Sequence, residues 1–148
     1  MKIVAFDRKD GPGLGVVQGD EVIDLSAVDA AAPRELGAVL RGPGLGALSA
    51  IAARASAQHR IKLSSVTLRM PVETPGKIIC LGLNYIEHVN EGPYDRPDYP
   101  TLFMRCMTSL VPSGTPLVRP KTSEKFDYEA ELVAIIGKRA RHLTADNA

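Results

Sequence analysis

The sequence predicts an α+β protein, with a small N-terminal α/β-meander unit over residues 1–72 and the beginning of a β-rich domain over residues 73–148. Three observations lead there. Short apolar runs separated by glycine-bearing turns occupy the chain as far as Leu25. An Ala- and Leu-rich stretch then extends from Ser26 to about His59. Beyond Pro75 longer apolar runs return, divided by Pro- and Gly-bearing loops. Runs of strand texture and helix texture segregated along a chain indicate α+β architecture.

The first element is a strand over Ile3 to Phe6, followed by a turn at Asp10-Gly11-Pro12-Gly13 and a second strand from Leu14 to Gln18. Gly19-Asp20 is a tight turn into a third strand, Glu21 to Leu25. Ser26 is placed to cap one helix and Pro33 to open another. Gly42-Pro43-Gly44 breaks the pattern before a helix near Ala47 to Ala57. His59 ends that helical stretch and reads as a surface histidine. One short strand is expected around Val66 to Met70, and Pro71 and Pro75 mark a boundary near Val72 to Gly76. Lys77 to Leu81 has the continuous apolar pattern of a strand buried on both faces. Thr101 to Met104, Leu117-Val118 and Leu132 to Ile136 continue the β-rich texture.

Bulk properties narrow the function. The hydrophobic fraction of 45% and charged fraction of 24% are those of a globular protein, which excludes disorder. A formal charge of +1 gives no pull toward nucleic acid or anionic membrane, and the 5% aromatic content leaves little for base stacking. No apolar run reaches the roughly 18 residues of a membrane span, and the N-terminus lacks a signal-peptide core, so a cytoplasmic location is the default. Cys80 and Cys106 sit in apolar surroundings without zinc-ligand spacing and read as buried thiols.

Two segments carry chemistry. In the first, Asn84 followed by Glu87 is a capping-box arrangement, so a short helix is expected to begin at Tyr85 and to end at Gly92-Pro93. His88 and Glu91, three residues apart, then share one helix face. A carboxylate beside an imidazole orients the ring and raises its basicity, as a general base requires; an exposed pair on a solvated helix is the bland alternative. In the second, Phe126 to Lys138 reads as one strand, with Asp127, Glu129 and Glu131 on one face. Alternate residues lie about 6.6 Å apart along a strand. Carboxylates this close repel one another. Either solvent or a divalent cation relieves them, and an all-oxygen donor set favours Mg²⁺, Mn²⁺ or Ca²⁺ over Zn²⁺.

Taken together, Leu81-Gly82-Leu83-Asn84-Tyr85 with His88 and Glu91, then Pro100-Thr101-Leu102-Phe103, then Asp127-Tyr128-Glu129-Ala130-Glu131-Leu132 with Ile136-Gly137-Lys138, resemble the fumarylacetoacetate hydrolase family in order and spacing. The resemblance runs from about Lys77 to Ala148, and the N-terminal strands resemble the small leading domain of bacterial members. It implies an incomplete catalytic domain of mixed β-roll type, binding Mg²⁺ or Mn²⁺, with Ca²⁺ a further candidate, through Glu129 and Glu131. It implies a His88–Glu91 dyad that activates water, and substrate binding by Arg105 and Tyr85, with Arg119 and Lys121 as weaker candidates. The implied activity is metal-dependent hydrolase or lyase cleavage of C–C bonds in acylpyruvate-type or related β-dicarbonyl carboxylic acids. The alternatives are a decarboxylase or isomerase of 2-oxo-dicarboxylic acids, or a non-catalytic truncated fragment that keeps the motifs.

The expected partners are a small-molecule 2-oxo or β-dicarbonyl carboxylate and a second copy of the chain in a homodimer, with no nucleic acid and no membrane. Family members carry a third carboxylate ligand further along. Asp146 lies in what reads as the opening turn of a helix and does not match that ligand. The sequence is therefore expected to represent a fragment or a truncated gene, with its Val133 to Ile136 run left as an exposed edge or covered by another chain.

Overall fold

The computed structural model describes residues 1–93, 95–128 and 130–148. The chain divides into two compact units, one made of Met1–Val72 with Pro112–Ala148 and the other of Glu73–Val111. Mixed helices and antiparallel sheets give the α+β class that the sequence predicts.

In the first unit, β1 (Lys2–Arg8), β2 (Gly11–Gln18), β3 (Glu21–Asp24) and β4 (Arg60–Lys62) form one sheet in chain order, each strand antiparallel to the next. The β1–β2 turn falls on Lys9-Asp10, so Gly11 to Gly13 already belong to β2 rather than to a turn. Gly19, at φ +63°, supplies the left-handed residue of the two-residue turn into β3. Alternation then sorts the side chains. Leu14, Val16 and Ile23 face the helices with Ile3 and Ala5, and with Leu25, Val39 and Leu48 they make the core. On the opposite face Phe6 lies over Gly13 and Gly15. A Cβ added at Gly15 would meet Val22 Cγ1 at 2.2 Å and Phe6 Cε1 at 3.2 Å, so glycine there leaves room for Val22 and the ring. Residues 67–69 follow the outer edge of β1 through Asp7 N–H to Thr67 O (2.9 Å) and Arg69 N–H to Ala5 O (2.8 Å). The strand expected near Val66 to Met70 is thus reduced to a single bridge, Leu68 with Phe6.

The helices are short: α1 (Leu25–Val28), α2 (Leu36–Arg41) and α3 (Leu45–Ala52). Asp24, not Ser26, caps α1. Its Oδ1 accepts from the backbone N–H groups of Ser26 (3.0 Å) and Ala27 (3.2 Å) while Oδ2 pairs with Arg8. Pro33 lies three residues ahead of α2 and does not open it. His59 is half-buried at the end of a 3₁₀ turn, where its Nδ1 accepts the Ser56 N–H at 3.1 Å.

Residues 112–148 contain no strand or helix among the described residues. This corrects the strands expected at Leu117-Val118 and over 126–136. Leu132 is 90% exposed, Val133 78% and Ile136 77%. The physical reason is that apolar β-propensity alone does not hold a strand; a ladder partner does, and no strand pairing reaches this segment among the described residues.

In the second unit, β5 (Ile79–Gly82) and β6 (Thr101–Met104) form an antiparallel ribbon, with Ile79 opposite Met104 and Gly82 opposite Thr101. One helix, α4 (Ile86–Asn90), lies between them in sequence. The expectation of a β5 buried on both faces fails, since Ile79 and Leu81 are exposed. Cys80 and Cys106 are free thiols, but they are not buried as expected: Cys80 is half-buried and Cys106 exposed.

Candidate functional site

The helix that carries the histidine–carboxylate pair begins one residue later than its sequence suggests. Tyr85, in extended conformation, is the N-cap residue of α4, and no side chain caps the helix. The Asn84/Glu87 capping box is therefore not formed. Ahead of the helix, Leu83 has a φ of +52°, which puts the turn out of β5 into the left-handed region. The Tyr85 carbonyl then accepts the Val89 N–H at 3.1 Å, and Val89 is the buried residue of α4.

His88 and Glu91 do meet. His88 Nδ1 lies 3.4 Å from Glu91 Oε2, with His88 half-buried and Glu91 exposed. The Glu91 backbone N–H donates to the His88 carbonyl at 3.3 Å, which holds the carboxylate at the C-terminal end of the same turn. At 3.4 Å the side-chain contact is longer than a tight charge-assisted hydrogen bond of roughly 2.7–2.9 Å. Bases of this kind tighten when substrate closes over them. If Nδ1–H donates to Glu91, Nε2 is the unprotonated nitrogen and carries the ring's lone pair.

Arg105 follows β6 directly. Its backbone N–H donates to Ile78 O at 3.2 Å, extending the ribbon by one residue. Its exposed guanidinium reaches Ser109 Oγ at 3.4 Å, and that hydroxyl donates to Cys106 O at 2.7 Å. The register places Arg105 at the Ile79 end of the ribbon, whereas the connection to α4 leaves from Gly82 at the other end. Three residues of strand separate the two ends, about 10 Å. Tyr85 is exposed beside the start of α4.

Of the two carboxylates expected to hold a metal, Glu129 lies outside the described residues. Glu131 is exposed on irregular chain, as is Asp127, whose Oδ1 accepts the Tyr128 N–H at 2.9 Å. Exposed oxygen donors in one short run fit a hard cation in kind. Among the described residues no three His, Cys, Asp or Glu side chains converge, so a cation here would need donors beyond them. Arg119 is tied to the Ser123 carbonyl, and Lys121 is exposed.

Among the described residues a denser charge cluster lies elsewhere and was not read from sequence. Arg34 pairs with Asp10 at 2.6 Å and Arg8 with the same carboxylate at 3.0 Å, while Arg8 also pairs with Asp24. Hydrogen bonds from Arg34 and then Arg8 hold the Asp10 carboxyl well below the usual carboxylate range. For Arg8, burial opposes its charge, but the hydrogen bonds and fields of Asp10 and Asp24 outweigh that and raise its pKa. The cluster ties the β1–β2 turn to the start of α1 and to the segment before α2. Its only sequence signal is Arg8 beside the turn and Asp10 within it.

The fold and the pair define the class: an α+β protein displaying a histidine–carboxylate pair on a short helix beside a β-ribbon. Residues 77–148 match the family model described as Fumarylacetoacetate (FAA) hydrolase C-terminal. The mitochondrial oxaloacetate tautomerase fahd2 of Xenopus laevis is 33% identical over 152 residues, covering 100% of this chain and 48% of that protein. The human mitochondrial oxaloacetate tautomerase FAHD2A is 36% identical over 154 residues, with the same coverage of 100% and 48%. Among solved structures, maleylpyruvate hydrolase from Sphingobium sp. SYK-6, in complex with manganese(II) ion and pyruvate, aligns with a TM-score of 0.50 and 33% identity over 74% of this chain and 38% of that one. The match to the fumarylacetoacetate hydrolase family thus falls on residues 77–148, and the chain spans about half the length of the curated relatives it matches.

Proposed function

We propose that this chain is part of an enzyme acting on small 2-oxo or β-dicarbonyl carboxylic acids, with His88 as its general base. Residues 1–72 would serve as a leading domain and residues 73–148 as the N-terminal part of a β-roll catalytic domain. The observation that carries the reading is the side-chain contact between His88 and Glu91 on one short helix. In the hydrolytic form of the reaction, His88 Nε2 takes a proton from water, and the hydroxide bonds to the distal carbonyl carbon of an acylpyruvate. The C–C bond then breaks, its electron pair passes to the pyruvate enolate, and the proton returns to the methylene carbon of that enolate to give pyruvate. Glu91 fixes the imidazole tautomer and stabilises the imidazolium between the two transfers. Arg105 and Tyr85 are proposed to contact the substrate, Arg105 by a fork of N–H donors to a carboxylate.

A hard divalent cation, Mg²⁺ or Mn²⁺, is proposed to be held by Glu129 and Glu131 together with further ligands. When bound, it would supply positive charge for the developing enolate. Support comes from the two acidic residues at alternate positions and from the manganese in the related hydrolase. Isothermal calorimetry should detect Mn²⁺ binding that Glu129→Ala abolishes; no heat from a full-length protein would remove the cation from the proposal.

A second reading is favoured by the names of the relatives that match the whole chain, which are oxaloacetate tautomerases. There His88 would shuttle one proton between the enol oxygen and carbon, so that a C–H bond forms or breaks and no C–C bond does. The two are separated by offering the full-length protein an acylpyruvate and, in a parallel assay, enol-oxaloacetate. Release of a free carboxylic acid marks the hydrolase, and decay of enol absorbance alone marks the tautomerase. In either case His88→Ala should lower kcat by about 10²- to 10⁴-fold. A loss under about threefold in both assays sinks the general-base role, and no turnover of either compound by the full-length protein overturns both readings.

A further inference from the structure

The turn between β5 and α4 has three residues, Leu83, Asn84 and Tyr85. The left-handed conformation in that turn falls on Leu83, although a glycine stands immediately before it and an asparagine immediately after. Both neighbours adopt such a conformation at less cost than leucine does. A Cβ at Gly82 would meet only Thr101 atoms at 3.5 Å and beyond, so close packing does not explain why the chain has glycine at 82 and leucine at 83. A bulky residue in this region is an outlier that its surroundings must hold in place. Leu83 is half-buried, so its side chain supplies an anchor that glycine or asparagine would lack.

What the turn directs is α4. That helix has five residues, no side-chain cap and a single buried residue, Val89. A helix so short has almost no stability of its own, and its direction is set by what holds its ends. We propose that Leu83 is the positioning residue of the site: its left-handed backbone aims α4 away from β5, and its half-buried side chain fixes that aim, so that His88 and Glu91 are presented in one place. This rests on the reading of His88 as a base only for its effect on turnover; the effect on α4 is independent of it.

The test uses the full-length protein and two readouts. Leu83→Gly keeps the left-handed turn and removes the anchor, and Leu83→Met keeps an apolar anchor of similar volume. Hydrogen exchange is followed at the Val89 and Glu91 amides, which are bonded to Tyr85 O and His88 O, with the β1–β3 amides as the control for intact folding. In Leu83→Gly, exchange at those two amides should quicken about tenfold or more while the control amides stay unchanged. Leu83→Met should restore slow exchange. If His88 is the base, kcat of Leu83→Gly falls about tenfold with KM within about twofold, because substrate binding survives while the base is misplaced. Unchanged exchange at Val89 and Glu91 in Leu83→Gly overturns the proposal, as does loss of protection in β1–β3 to the same degree, which would make Leu83 an ordinary fold residue. Failure of the base reading shows separately, as His88→Ala leaving kcat unaltered while Leu83→Gly still loosens α4.

Discussion

Leu48 and Leu45 sit on the same helix in opposite environments, Leu48 fully buried in the core and Leu45 exposed. Replacing Leu48 by Ala removes three carbons that contact the inner face of the β1–β3 sheet, and large-to-small core changes of this type cost about 2–5 kcal/mol. A unit of about 110 residues holds roughly 5–16 kcal/mol in all, at about 0.05–0.15 kcal/mol per residue. The substitution therefore consumes a large share of it. The four tyrosines all lie beyond residue 84 and there is no tryptophan, so intrinsic fluorescence does not report on the N-terminal core. Amide hydrogen exchange does. A loss of about 3 kcal/mol corresponds to roughly 100- to 200-fold faster exchange at the Val16 and Val22 amides, at 1.4 kcal/mol per tenfold. Leu45→Ala should change the same amides by less than about threefold, since exposed substitutions stay within about 0.5 kcal/mol. Equal effects of the two substitutions, or a Leu48→Ala effect under about fivefold, would refute the assignment of Leu48 to the core.

Three further outcomes are expected. Asp10 titrates below its unfolded value, so its contribution is full above about pH 4 and is lost as the pH falls toward the lower folded pKa. Asp10→Asn should accordingly be less stable than wild type at pH 7 in urea melts, with the gap closing below about pH 4; a gap that widens in acid would contradict the sign. Gly15→Ala should destabilise the sheet by about 1–3 kcal/mol, because the new methyl overlaps Val22 and crowds the Ile23 carbonyl; a thermal melt unchanged within a degree would show that the strand shifts freely. The exposed Val133–Ile136 run should drive self-association of residues 1–148, and Val133→Lys with Ile136→Lys should reduce it in sedimentation velocity. A monomer at all concentrations before any substitution would contradict this.

What the sequence made legible was local. β1 to β3 could be read because each turn is a few residues long and each strand finds its partner across it. β4 could not, since Arg60 to Lys62 is only three residues long and pairs with β3 across almost the whole helical stretch. The Val133 to Ile136 run had the composition of a strand, but a ladder needs a neighbour that composition does not supply. At the candidate site, the spacing of His88 and Glu91 was enough to place them on one helix face. The start of that helix was misjudged, and the left-handed turn ahead of it falls on a leucine, a residue type that gives no warning of it. The Arg8, Asp10 and Arg34 cluster was hidden for a related reason, since Arg34 and Asp10 meet only after the chain has folded between them.

The β5–β6 register has one more consequence. Gly82 and Thr101 are paired neighbours, so everything from residue 83 to residue 100 is an excursion that leaves the ribbon and returns to it. The entropy of closing such a loop depends only on the logarithm of its length, and doubling it costs about 0.6 kcal/mol. Residues 92–100 can therefore be lengthened or shortened without disturbing the two strands. The histidine would stay in place while the chain beyond its helix changes length, which makes this return path the cheapest part of the excursion to alter.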